Sequence, residues 1–114
     1  MIKQREVLLV PFPFSDQSGE KVRPVVVISN NRFNEFSDDI ISLGITSNVV
    51  KDAYTTPLSN KNLEEGHLFD ECCIKIESIL KLDQKLIIKK IGKINKDKFI
   101  EILPILNKII KLDE

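Results

Sequence analysis

Apolar residues in this chain gather into short runs with a period of two or none, separated by polar clusters. Only near the end does the period lengthen. Residues 5–11, "REVLLVP", predict a first strand that Pro11 and Pro13 should stop, since neither has an N–H for the ladder. "FPFSDQSGEKV" then reads as a loop, with Ser15, Asp16, Ser18 and Gly19 supplying turn chemistry and Phe12 and Phe14 anchoring its ends. In "RPVVVIS", Pro24 opens a second strand, and the unbroken apolar run Val25 to Ile28 predicts cover on both faces.

"NNRFNEFSDD", residues 30–39, is polar with two Phe three apart, enough for a loop or one helical turn. "IISLGITSNVV" predicts a third strand, broken or bent around Gly44 to Asn48. "AYTTPLS", residues 53–59, is a shorter strand that Pro57 assigns to an edge. "NKNLEEG" is read as a turn, "HLFDECCIKIESILKLD" as one or two extended pieces, and "KLIIKKIGKI", residues 85–94, as a strand with a bulge or close backbone approach at Gly92. In "NKDKFIEILPILNKIIKL", Phe99, Ile102, Leu103, Leu106, Ile109 and Ile110 follow helical spacing and Asn95 is a suitable N-cap. The result is an amphipathic C-terminal helix, kinked or weakened where Pro104 removes the bond to the carbonyl of Ile100.

Many short strands closed by one helix predict a mainly β (α+β) domain, a small barrel or half-open roll with the helix over one opening. The 114 residues, 42% of them hydrophobic, suit a single domain spanning residues 1–114. No apolar run reaches the roughly 18 residues of a membrane span, and the start lacks a signal-peptide pattern, so a cytoplasmic protein with no membrane partner is expected. The adjacent Cys72 and Cys73 fit neither a mutual disulfide nor a C-x-x-C site, and are read as small buried or half-buried residues.

Net charge is zero, but it is unevenly spread: residues 1–70 carry 7 Lys/Arg and 10 Asp/Glu, and residues 71–114 carry 10 and 7. Lysines 75, 81, 85, 89, 90 and 93 supply most of the second half's excess. They fit a solvated face or a phosphate-binding edge.

Three blocks, "VLLVPFPFSDQSGEKVRPVVVIS", "ITSN" and "IKIESILKLDQKLIIKKIGKIN", occur in an order that resembles the MazF/PemK family, the toxin halves of type II toxin–antitoxin modules. The resemblance implies an SH3-like barrel of CcdB/Kid/MazF type and a homodimer. It also implies a cognate antitoxin whose disordered C-terminal tail fills the active groove, and cofactor-free, metal-independent cleavage of single-stranded RNA.

Such cleavage uses the substrate's 2′-hydroxyl as nucleophile and leaves a 2′,3′-cyclic phosphate and a 5′-hydroxyl. The protein must accept or steer the 2′ proton, stabilise charge on the phosphoryl oxygens and assist the leaving oxygen. Arg23 matches the family's catalytic Arg-Pro; its planar fork suits phosphate oxygens, and Pro24 stiffens the backbone beside it. An ion pair at a strand start is the plainer role for Arg23. Thr46 matches the family's Ser/Thr after the third strand. It or Ser47 could bond the scissile phosphate, with Gly44 leaving room for substrate backbone, or both hydroxyls could cap their own turn.

In "CIKIES", extended backbone puts Ile74 and Ile76 on the core side, and Lys75 and Glu77 together on the other, about 7 Å apart. Glu77 would then accept the proton or orient Arg23, with Lys75 as a point charge on substrate. A plain Lys–Glu pair, or Glu77 capping a following turn, is the alternative. Phe14 and Ser18 would help bind substrate from the first loop, which reads as a lid. His67, the only histidine, matches no catalytic position, and the first loop lacks the His one relative of this fold uses, so the general acid stays open. Two further readings keep the fold. One is a non-enzymatic gyrase poison, disfavoured because the chain has no Trp and ends "IIKLDE"; the other is an RNA-binding or inactive relative.

Overall fold

The computed structural model describes residues 1–12, 21–49 and 51–114, with backbone alone at Phe12. Its strands are β1 (Glu6–Phe12), β2 (Lys21–Val27), β3 (Asp39–Thr46), β4 (Thr55–Leu58), β5 (Leu63–Gly66), β6 (Cys72–Asp83) and β7 (Lys89–Ile94), with helices α1 (Asn31–Phe36) and α2 (Lys96–Ile110). They form a curled antiparallel sheet, ordered β4-β6-β3-β2-β1-β7-β5, in an SH3-like half-barrel completed by α2.

The two prolines expected at strand ends stand inside strands. Pro11 pairs with Val22 and β1 runs on to Phe12; Pro24 pairs with Leu9 in the middle of β2. Both sit where an N–H has no partner. Leu9 turns its carbonyl to Ile88 on the β7 side, so Pro11, two residues on, faces that side beyond the end of the β7 ladder. Pro24 faces β3, whose ladder with β2 begins only at Val25.

Val25 to Val27 are fully buried, and alternation sends them to different cores. Val26 joins Val7, Leu43, Ile45, Ile74 and Ile102 beneath α2. Val25 and Val27 join Leu8, Val10 and Ile40 on the other face, where Leu80, Leu82 and Ile87 add cover.

Residues 63–66, read as part of a turn, form an edge strand on β7, and of the one or two extended pieces expected next there is one, the 12-residue β6. Gly66 has φ +86°, and a Cβ there would collide with the carbonyl of Ile91, so the β5–β7 contact demands glycine. The predicted irregularity near Gly92 is a register shift between Val7 and Leu8 of β1. Pro57 lies in edge strand β4, as expected.

Asn95 caps α2 by accepting from the Lys98 N–H at 2.8 Å. Its inner stripe differs from the predicted one. Phe99, Ile102, Ile105, Leu106 and Ile109 pack on the sheet, whereas Leu103 and Ile110 are exposed. The helix continues through Pro104, which is exposed. Lys98 is buried within α2, bonded to Thr56 Oγ1 at 2.8 Å and Glu101 Oε2 at 2.6 Å, which ties the helix to β4. No helix is long and apolar enough to cross a membrane among the described residues.

Candidate active site

Sheet register fixes which side chains share a face. Val10 opposes Arg23 and Leu8 opposes Val25, so Arg23 lies on the face of the second core. Val25 opposes Gly44, placing Gly44 and Thr46 on that face, and Gly44 opposes Lys75 in β6. Arg23, Thr46 and Lys75 are thereby brought to one end of one face, from three adjacent strands. Arg23 is half-buried and Lys75 exposed.

The Thr46 hydroxyl accepts the N–H of Asn48 at 3.1 Å. This is the self-capping turn, and it holds the side chain in a defined place. Ser47 follows the end of β3 and lines a cleft that Arg23 also lines.

Between the Leu43–Ile79 and Gly44–Lys75 pairs, β6 carries an extra Ile76–Ser78 segment, a bulge that presents Glu77 to solvent. Ile74 and Ile76 are fully buried while Lys75 and Glu77 are exposed, the alternation expected. Among the described residues no ion pair joins Lys75 to Glu77. Nor does a turn follow for Glu77 to cap, because β6 continues to Asp83. The room expected at Gly44 is taken from within: a Cβ there would stand 2.8 Å from Ser78 Oγ and 3.2 Å from Ser78 Cβ. Phe14 and Ser18, with the loop read as a lid, lie outside the described residues.

Among the described residues, three of the six lysines noted in the second half pair with carboxylates. Lys81 meets Asp39, Lys90 meets Glu6 and Glu65, and Lys93 meets Glu64. The Arg5 hydrogen bond, ahead of the lysines nearby, holds the Glu64 carboxyl below its ordinary range. Cys72 and Cys73 are buried thiols, as expected; burial, then the Cys73 neighbour, pushes Cys72 up to about 11, a poor nucleophile. Among the described residues no three His, Cys, Asp or Glu side chains cluster as a metal site would need.

A cleft of about 550 Å³ opens beside the row, between β2 and residues 68–72. Lys21 and Arg23 line one side and Phe69, Asp70 and Glu71 the other. Sequence reasoning left this wall unremarked, although a Phe set among acids ahead of a buried strand signals an aromatic kept out of the core. His67 is exposed and meets the Phe69 ring edge-on at 5.7 Å.

Residues 3–110 match the family of PemK-like, MazF-like toxins of type II toxin–antitoxin systems. An endoribonuclease MazF of Staphylococcus epidermidis is 31% identical over 105 residues, covering 90% of this chain and 85% of that protein. A MazE–MazF crystal structure from Deinococcus radiodurans superposes with a TM-score of 0.79 at 14% identity, covering 98% of this chain and 97% of that one. An endoribonuclease in complex with its cognate antitoxin, from mycobacterial species, gives 0.74 at 14% identity, covering 100% and 99%. The two solved structures share the fold, the sequence match runs through all three motif blocks, and the chain belongs to the PemK-like, MazF-like toxins of type II toxin–antitoxin systems.

Proposed function

We propose that this protein is an endoribonuclease toxin that cleaves single-stranded RNA through the substrate's own 2′-hydroxyl, one domain per chain working as a homodimer. The observation that carries the reading is the convergence of Arg23, Thr46 and Lys75 on one end of one sheet face.

The scissile phosphate lies against the Arg23 fork, whose charge offsets the negative charge that builds on the phosphoryl oxygens. Thr46 accepts a backbone N–H through its oxygen, so its own proton remains to be donated to a phosphoryl oxygen. Glu77, delivered by the β6 bulge, takes the 2′ proton as the 2′ oxygen bonds to phosphorus. The P–O5′ bond breaks, the 5′ oxygen leaves as a hydroxyl by taking a proton from solvent water, and the 2′,3′-cyclic phosphate remains. Lys75 adds a point charge for a flanking phosphate, without the bidentate grip of an arginine. The chain's partner is an antitoxin whose disordered, acidic tail lies along the same face and blocks it. One of the solved structures that share this fold is an endoribonuclease in complex with its cognate antitoxin.

Purified protein incubated with RNA in chelator should yield fragments ending in 2′,3′-cyclic phosphate. The Arg23→Ala variant, equally folded by circular dichroism, should cleave roughly 100- to 1,000-fold more slowly. Normal cleavage by that variant would remove Arg23 from the mechanism, and absence of RNA cleavage by the wild type would overturn the ribonuclease reading.

A further inference from the structure

Phe69 is 94% exposed, although its neighbour Leu68 packs against the first core. The chain therefore turns Leu68 inward and holds a large aromatic ring in water beside it. His67 meets that ring at 90°, which restricts its plane. The ring forms a wall of the cleft whose opposite side carries Lys21 and Arg23.

The two walls carry opposite charges. Asp70 and Glu71 are exposed next to Phe69, and among the described residues neither carboxylate is engaged in an ion pair. A simple anion would be repelled by one wall and a simple cation by the other. A nucleotide satisfies both: its phosphodiester suits Lys21 and Arg23, its flat base suits an aromatic face, and an exocyclic amine donates to a carboxylate.

We propose that Phe69 stacks on the RNA base beside the phosphate held by Arg23, and that Asp70 and Glu71 select bases bearing an amino group over uracil. This rests on the ribonuclease reading, because Arg23 supplies the register between phosphate and base. Arg23 belongs to both the Thr46–Lys75 row and the cleft, so a chain crossing from one to the other passes the cleaved bond. The aromatic wall is then a specificity element, outside the proton-transfer machinery.

The test pairs cleavage of a random RNA pool, with cut ends sequenced, with fluorescence anisotropy on fully 2′-deoxy oligonucleotides, which bind without being cut. Phe69→Ala should lower kcat/KM and deoxy-oligonucleotide affinity roughly tenfold, and erase the base preference at one position beside the cut. Phe69→Trp should keep both. Asp70→Asn with Glu71→Gln should raise cleavage at uracil relative to amino-bearing bases at that position. If wild-type protein leaves the pool uncut, the ribonuclease reading fails, and the deoxy-oligonucleotide arm still decides the stacking role. Wild-type cutting with unchanged rate, pattern and binding in Phe69→Ala sinks the inference alone. So does loss of self-association by light scattering with RNA binding intact, which would assign Phe69 to an interface between copies.

Discussion

Val25 and Val26 are adjacent in β2 and equally buried, yet they belong to different cores. The face of Val26 is roofed by α2, while the face of Val25 is filled with aliphatic side chains at one end only and carries Arg23, Thr46 and Lys75 at the other. One strand thus contributes to a sealed face and to a half-open one simply by alternation. The consequence is a separation of labour: substitutions under α2 should act on stability, and substitutions at the open end on activity.

The largest effect should come from the sealed face. Ile102 is fully buried at the α2–sheet contact, and Ile102→Ala should lose about 2–5 kcal/mol in denaturant unfolding, with catalysis per folded molecule unchanged. Leu103 is 46% exposed on the same helix, and Leu103→Ala should shift stability by no more than about 0.5 kcal/mol. Equal losses at the two sites would mean that α2 packs by a different face. The open end should behave in the opposite way. Arg23→Lys keeps the charge and removes the fork, and RNA cleavage should fall roughly 10- to 100-fold. Its unfolding midpoint should stay close to wild type; a large stability loss would break the division between the faces.

Alternation made much of this legible. "VVVI" announced a strand covered on both sides, and "CIKIE" announced buried isoleucines alternating with exposed charges. What escaped was set by neighbours rather than by the segment itself. Pro11 and Pro24 stand inside strands because the adjoining ladders stop one residue short of them or earlier, which no local pattern encodes. Leu103 and Ile110 share helical spacing with the inner stripe, yet they are exposed and Ile105 packs on the core, a choice of face that the sheet and not the helix makes. At the candidate site, Arg23, Thr46 and Lys75 were reached by resemblance, but their common face follows only from register. Phe69 was hidden in a segment read as one or two extended pieces.

Smaller in effect is the polar pin that seals α2 against β4. Lys98 is buried, and Glu101, half exposed, accepts from both Lys98 and Thr56. The Lys98 hydrogen bond first, then that of Thr56, lowers the Glu101 carboxyl below its ordinary 4.5. A carboxyl depressed in the folded state contributes stability that is fully present above 4.5 and lost as pH falls through the folded value. Glu101→Gln should therefore lower stability at neutral pH, by less than loss of a fully buried pair would, because solvent screens the half-exposed carboxylate. Its stability should also decline less than that of wild type on acidification below 4.5. Parallel pH profiles for the two proteins would show that the pin is not electrostatic.

The smallest effect tests how the half-open face is kept in register. Gly44 lies between Val25 and Lys75, and its missing side chain is replaced by Ser78 from the β6 bulge. Adding a methyl in Gly44→Ala brings it within 2.8 Å of Ser78 Oγ, so the bulge must shift, at about 1–2 kcal/mol. The bulge also carries Glu77, so cleavage should fall together with stability. Ser78→Ala in the Gly44→Ala background removes the nearest atom and leaves Ser78 Cβ at 3.2 Å, so most of both losses should return. Recovery of stability without activity would separate the bulge from the reaction and take Glu77 out of it. Recovery of both would tie the packing of an apparently plain glycine to the delivery of the carboxylate.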